Sequence, residues 1–183
     1  EALVAEAGRV RPGCDGLVFL PYLTGERCPH PDPLARGGWI GLTSRHTRGH
    51  MVRAVIEGVT FGMGQILDLV RALGVHVESV RLGGGGARSS LWRQMQADVY
   101  RCRVAIMDTE EGPAFGAALL AGVGARVFPN VAEACRIAVH ESGFVDPAES
   151  AAYDPARAVY ESLYADLKPR FAALHGIDEA NQR

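Results

Sequence analysis

The stretch SVRLGGGGARSSLWRQMQAD, Ser79 to Asp98, carries a short apolar segment into four consecutive glycines and then into a helical pattern. A strand that runs into bare backbone and then into a helix is the unit of an α/β fold. Two phosphate-binding motifs share that unit, and both fail here. A P-loop needs a lysine directly after its last glycine, and the chain's single lysine is Lys168. The dinucleotide fingerprint needs a third glycine at the sixth place, where a frame from Gly83 meets Arg88 and one from Gly84 meets Ser89. What remains is their common physical content. Glycines allow close approach and positive φ, and the helix start offers unpaired N–H groups to an anion or a polar edge. A tight strand-to-helix turn without a ligand fits the glycines equally well.

The flanking sequence extends the layering on both sides. GLVFLPYL, residues 16–23, reads as a buried strand, and TGERCPHPDPLARGG, residues 24–38, as a long irregular loop. From Thr47 a helical pattern runs through Met51, Val52, Val55, Ile56, Val59, Ile66, Leu67, Val70 and Leu73 on its apolar face, stopped by Gly74. Ser89 or Ser90 caps the helix after the glycines, which carries Leu91, Met95 and Val99. RVAIMD (103–108) is a second strand, GPAFGAALLAGVGA (112–125) a small-residue helix, and 131–139 and 155–174 are further helices. HESGFVDPAESAAYDP, residues 140–155, reads as a loop between them.

Composition excludes several classes of function. The apolar share of 48% and charged share of 22% are those of a globular chain, and a net charge of -2 with scattered signs leaves no footprint for nucleic acid or an anionic membrane. No run approaches the roughly 20 apolar residues of a membrane span. Cys14, Cys28, Cys102 and Cys135 are irregularly spaced without a C-x-x-C pair, which fits reduced thiols in a cytoplasmic protein. His46, His50, His76, His140 and His175 show no metal-ligand spacing and read as surface or packing residues.

A resemblance adds to this reading. In GGWIGLTSRHTRGHMVRAVIE, residues 37–57, the pattern Gly37, Trp39, Gly41, Leu42, then His50-Met51 after seven residues, then Ala54 to Glu57, resembles the C-terminal signature of the FGGY carbohydrate kinases. FLPYLTGERCPHPDPLARG, GGGARSSLWRQMQAD and EEGPAFGAALLA are similar to further family segments, in family order, over Gly16 to Gly124. The resemblance implies an α/β fold of the ribonuclease-H-like, actin-like ATPase type, in which two such domains close on a nucleotide. It implies ATP and Mg²⁺, and phosphorylation of a sugar hydroxyl. The wording of the 19–37 loop is most similar to members acting on D-xylulose; ribulose, rhamnulose, gluconate and glycerol are the alternatives within the family. A non-catalytic oligomerisation module on the same fold is the alternative outside it.

Carried onto this chain, the resemblance makes Gly84, Gly85, Gly86 and Ala87 the adenosine side of the ATP site, with Ser90 near the base. A β-carbon at Gly85 or Gly86 would then occupy nucleotide space. Gly83 stands where the family has Thr or a similar residue. The helix after Gly41 packs behind the site, with Glu57 as a hydrogen-bond partner and not a catalyst. Gly112, Ala114, Gly116 and Ala117 let their helix sit close on the sheet. Glu26, Arg27 and His30 are candidates for facing the cleft between domains. No Asp matches the family's catalytic base, and the Asp-Gly-Thr and Gly-Thr-Ser phosphate segments are absent, so no catalytic or metal-binding residue is assigned. The expectation is a distal portion of the C-terminal kinase domain over 1–183, helical beyond 125, beginning at Glu1 as a cut-out would. It is expected to be inactive alone, with exposed apolar surface. Its expected partners are a small-molecule sugar and a nucleotide, with a homodimer left open.

Overall fold

The computed structural model describes residues 2–108 and 112–181. Helix α1 (Ala2–Ala7) leads into a left-handed turn at 13–16 and strand β1 (Val18–Leu20), which pairs antiparallel with β2 (Gly38–Ile40). Helix α2 (Arg48–Ala72) follows, then β3 (Ser79–Leu82), α3 (Ser90–Tyr100) and β4 (Arg103–Met107), with β3 and β4 parallel. Helices α4 (Gly112–Gly124) and α5 (Val131–Ala138) precede β5 (Glu141–Val145), antiparallel to β4, and α6 (Asp154–Asn181) ends the described chain. The result is a two-stranded and a three-stranded sheet among helices, the mixed α/β architecture expected.

Two strands were not among those expected, β2 where the 24–38 loop ends and β5 inside the 140–155 loop, and the reason is the same for both. Neither β2 nor β5 buries a side chain fully, so neither has the apolar alternation that marks a strand. Their signal lies in the partner: Phe19 opposite Trp39, with rings 4.6 Å apart, and Arg103 packed 4.0 Å over the exposed Phe144 ring. Such cross-strand pairs are invisible until the strands meet.

Helix α2 corrects a second expectation. Thr47 and His50 form a capping box at its start, and Gly74, at φ 84°, ends it. Its fully buried face is Gly49, Arg53, Ala54, Glu57, Gly58, Thr60, Phe61 and Gly64; of the apolar stripe, Met51, Val55, Ile56 and Leu67 pack half-buried against the core, while Ile66 is 39% and Leu73 83% exposed. The cause is close approach. A β-carbon at Gly58 would lie 2.0 Å from the carbonyl oxygen of Phe19, so α2 meets β1 backbone to backbone and the small residues must face inward.

Around that contact Val18, Leu20, Tyr22, Phe61, Met95, Val99, Val104, Tyr160 and Phe171 form one core, tying β1, α2, α3, β4 and α6 together. Each fully buried apolar side chain of this size contributes about 1.5–3 kcal/mol. Helix α4 stands apart. Expected to pack on the sheet through Gly112, Ala114, Gly116 and Ala117, it buries no residue and leans on α5. A β-carbon at Gly112 or Gly116 would meet nothing within 4 Å, so among the described residues nothing covers the small-residue face.

Candidate nucleotide site

The glycine turn begins where β3 ends. Gly84 has φ 77° and ψ -178°, a region that is open essentially to glycine alone. One 3₁₀ turn, Gly85–Arg88, follows, closed by Ala87 N–H to Gly84 O (3.1 Å) and Ser89 N–H to Gly86 O (3.2 Å). Ser89 is the cap of α3: its Oγ accepts from the Trp92 N–H at 3.2 Å. Ser90 is the first helical residue and is exposed on the rim.

The five expected residues do not share one role. A pocket of about 620 Å³ lies between Val4, Ala5 and Gly8 of the α1 segment and Gly85, Arg88, Ser89, Ser90 and Leu91. A smaller one of about 130 Å³ opens at the ends of β3 and β4, where Gly84 and Ala87 meet Arg88, Arg93, Ile106 and Met107. Gly85 and Ser90 thus face the larger space, and Gly84 and Ala87 the smaller. Gly85 has no atom within 4 Å of the place its β-carbon would take. A side chain there would enter open space.

Gly86 is different. Its β-carbon would fall 2.3 Å from the Trp92 ring, so this glycine is demanded by the protein's own tryptophan. Trp92 is held in turn, donating from Nε1 to Thr60 Oγ1 at 2.9 Å, while Thr60 donates to Ile56 O at 2.7 Å. The turn is therefore anchored on α2.

Behind the larger pocket sits an ion pair that the sequence shows only as an i, i+4 spacing in an apolar helix. Arg53 Nε donates to Glu57 Oε1 at 2.7 Å, both side chains 3% exposed. Arg53 also donates to Val10 O (2.6 Å), Ala7 O (3.4 Å) and the Tyr153 hydroxyl (3.0 Å), and Glu57 accepts from Gly13 N–H (3.1 Å). Burial pushes the Glu57 carboxyl above its usual range, against the hydrogen bond and charge of Arg53 that favour its ionised form. Glu57 is a hydrogen-bond partner in the core, as expected of it; Arg53 was not singled out by sequence.

The 24–33 loop serves itself first. Glu26 accepts from the N–H groups of Arg27 (2.6 Å) and Cys28 (3.0 Å), and His30 stacks on Tyr164 of α6 with centroids 3.7 Å apart. Glu26 and Arg27 line an open groove that shares no residue with either pocket of the glycine turn. His46 and His50 accept from the N–H groups of Thr43 and Thr47, as turn and cap residues. All four cysteines are free. Among the described residues no three His, Cys, Asp or Glu side chains converge as a metal site, and no helix is long and apolar enough to cross a membrane.

Comparison with known proteins shows the family to which the fold belongs. Residues 1–125 match the C-terminal domain of the FGGY family of carbohydrate kinases. The chain is similar to xylulose kinase of Bacillus subtilis, 37% identical over 176 residues, which are 95% of this chain and 35% of that protein. It is also similar to gluconokinase of the same organism, 41% identical over 121 residues, 66% of this chain and 24% of the relative. A crystal structure of ligand-bound xylulose kinase from Lactobacillus acidophilus superposes with a TM-score of 0.84 at 26% identity, over 94% of this chain and 35% of that one. The chain thus spans about a third of the length of the xylulose kinases it matches.

Proposed function

The chain belongs to the FGGY family of carbohydrate kinases, and on that premise we propose that the protein carrying it transfers a phosphoryl group from ATP to a sugar hydroxyl, with D-xylulose as the favoured acceptor. The glycine turn carries this reading: Gly83, Gly84 and Gly85 have open space where β-carbons would stand, and Gly85 borders a pocket of about 620 Å³. ATP supplies the phosphoryl group. In this reading Gly85, with Ser89 and Ser90 at the start of α3, holds its adenosine side, and Gly84 and Ala87 shape the backbone beneath. A helix start favours a polar or anionic edge there.

The acceptor is read from the relatives. Likeness to xylulose kinase extends over 95% of the chain, while likeness to gluconokinase, higher at 41%, covers 66%. Gluconate is therefore the second acceptor to test. Among the described residues no three carboxylate, imidazole or thiolate groups converge, so no residue of this chain is assigned to magnesium and no step runs through it. No residue of this chain is proposed as the base that takes the acceptor's proton. We place that group in the remainder of the protein, which makes the 183-residue chain inactive by itself.

The test is ADP release by the full-length protein with D-xylulose, D-ribulose, L-rhamnulose, gluconate and glycerol. The highest kcat/KM with D-xylulose supports the whole reading. A preference for gluconate corrects the acceptor alone, and saturable ATP use with no acceptor would overturn the kinase assignment.

A further inference from the structure

Arg53 and Glu57 are charged and buried, and neither lines a pocket of the glycine turn. A buried pair of this kind is seldom more stabilising than apolar residues of the same volume, so its place in the fold asks for another account. Arg53 distributes its donors over three segments besides α2: the end of α1 through Ala7 O and Val10 O, Glu57 and through it the 13–16 turn, and Tyr153. The 13–16 turn is left-handed at every residue, with φ 81° at Gly13, 52° at Cys14, 51° at Asp15 and 88° at Gly16. Backbone of that kind persists where its surroundings hold it. Glu57 does so at Gly13, and Cys14 Sγ does so by donating to His50 O at 3.0 Å.

The two walls of the larger pocket are Val4, Ala5 and Gly8 on one side and Gly85 to Leu91 on the other. Between α1 and α3 lies a further cavity of about 380 Å³, bordered by Gly8, Arg53, Leu91, Gln94 and Tyr153, so the walls are not spaced by side chains packed directly between them. Each wall is instead hydrogen-bonded to α2: the α1 wall through Arg53 in the core and through the exposed Arg48–Glu6 ion pair, the α3 wall through Trp92 on Thr60. Helix α2 is their common base.

The geometry points to Arg53, with Glu57 behind it, as a positioning residue for the nucleotide: it sets the separation of the two pocket walls without touching the ligand. This rests on the nucleotide reading of the pocket given above. Loss of the guanidinium fork lets α1 drift and weakens ATP binding, while the acceptor site and the chemistry keep their geometry.

The test uses the full-length protein and two substitutions. Arg53→Lys keeps the charge beside Glu57 and loses the fork; Tyr153→Phe removes one acceptor from the guanidinium and leaves the rest. The expected result for Arg53→Lys is a KM for ATP raised about tenfold, with kcat and the acceptor KM unchanged. Tyr153→Phe moves the ATP KM in the same direction by less. An unchanged ATP KM in folded Arg53→Lys overturns the inference, as does a fall in kcat with both KM values rising together, the mark of a general structural defect. Should Arg53→Lys fail to fold, the same criterion applied to Tyr153→Phe decides. If the unsubstituted protein shows no saturable dependence on ATP, the nucleotide reading falls and this inference with it; a normal ATP dependence that neither substitution moves removes the inference alone.

Discussion

The glycine turn and the α4–α5 hairpin are both rich in small residues, and they use them in opposite ways. At the turn three of the four glycines answer a local demand: Gly84 a backbone conformation, Gly86 the Trp92 ring, Gly85 an opening to the pocket. On α4, Gly112 and Gly116 answer none among the described residues, and Leu120 is 60% exposed. A run of small residues therefore marks close approach only when the approaching group can be named. The same lesson separates two parts of α2, where Gly58 meets Phe19 while Ile66 and Leu73, at the far end of the apolar stripe, stay exposed.

The sharpest way to break this contrast is at its extremes. Gly58→Val drives a side chain into the Phe19 carbonyl, and urea unfolding is expected to show a loss of roughly 3 kcal/mol or more, at the upper end of overpacking costs. Gly116→Ala adds a methyl in open space within a helix and is expected to stabilise by up to about 1 kcal/mol. Comparable losses at both positions would dissolve the distinction.

Within the turn the contrast is finer. Gly86→Ala displaces the Trp92 ring and its hydrogen bond to Thr60, for an expected cost of about 1–3 kcal/mol. Gly85→Ala, three residues from the start of β3's exit, meets no atom within 4 Å and should change the unfolding free energy by less than about 0.5 kcal/mol. Near-ultraviolet circular dichroism would report the tryptophan shift in the first variant and its absence in the second.

A smaller effect probes the hairpin surface. Leu120→Gln, on the uncovered α4 face, is expected to leave stability within about 0.5 kcal/mol while lowering the binding of a hydrophobic dye. A large loss of stability would mean that α4 is packed more firmly than its exposure indicates. The cysteines offer a comparison of the same kind. Burial pushes the Cys14 thiol up to about 12, so at pH 8 it stays protonated and unreactive in the folded chain, whereas Cys135 on α5 is exposed and is the expected first site of alkylation. Peptide mapping after brief labelling checks this; Cys14 modified as fast as Cys135 would place the 13–16 turn in solvent.

The strands and helices legible in the sequence are those with their own apolar or small-residue pattern: β1, α2, β3, α3, β4, α4, α5 and α6. Edge strands β2 and β5 have none, because Trp39 and Phe144 are stabilised by partners on other strands and remain exposed. The site was legible to the level of a stretch. That Gly84 to Ala87 form a turn, and that Ser89 caps the following helix, follow from local chemistry. That Gly86 serves Trp92, and that Arg53 ties α1 to the 13–16 turn, required residues 6 to 46 positions apart to be brought into contact. Glu57 was readable as a hydrogen-bond partner because it is a matched position of the signature over residues 37–57; its partner Arg53, four residues earlier on the same helix, carried no such signal.

The central claim is that open space at Gly85 is occupied by the nucleotide. Gly85→Val in the full-length protein, followed by equilibrium titration with ATP, tests it directly, with the melting temperature as control. The account predicts at least about a tenfold loss of ATP affinity at an unchanged melting temperature, since the side chain fills the pocket and meets nothing else. Undiminished ATP affinity in a normally folded variant would contradict it and place the nucleotide elsewhere.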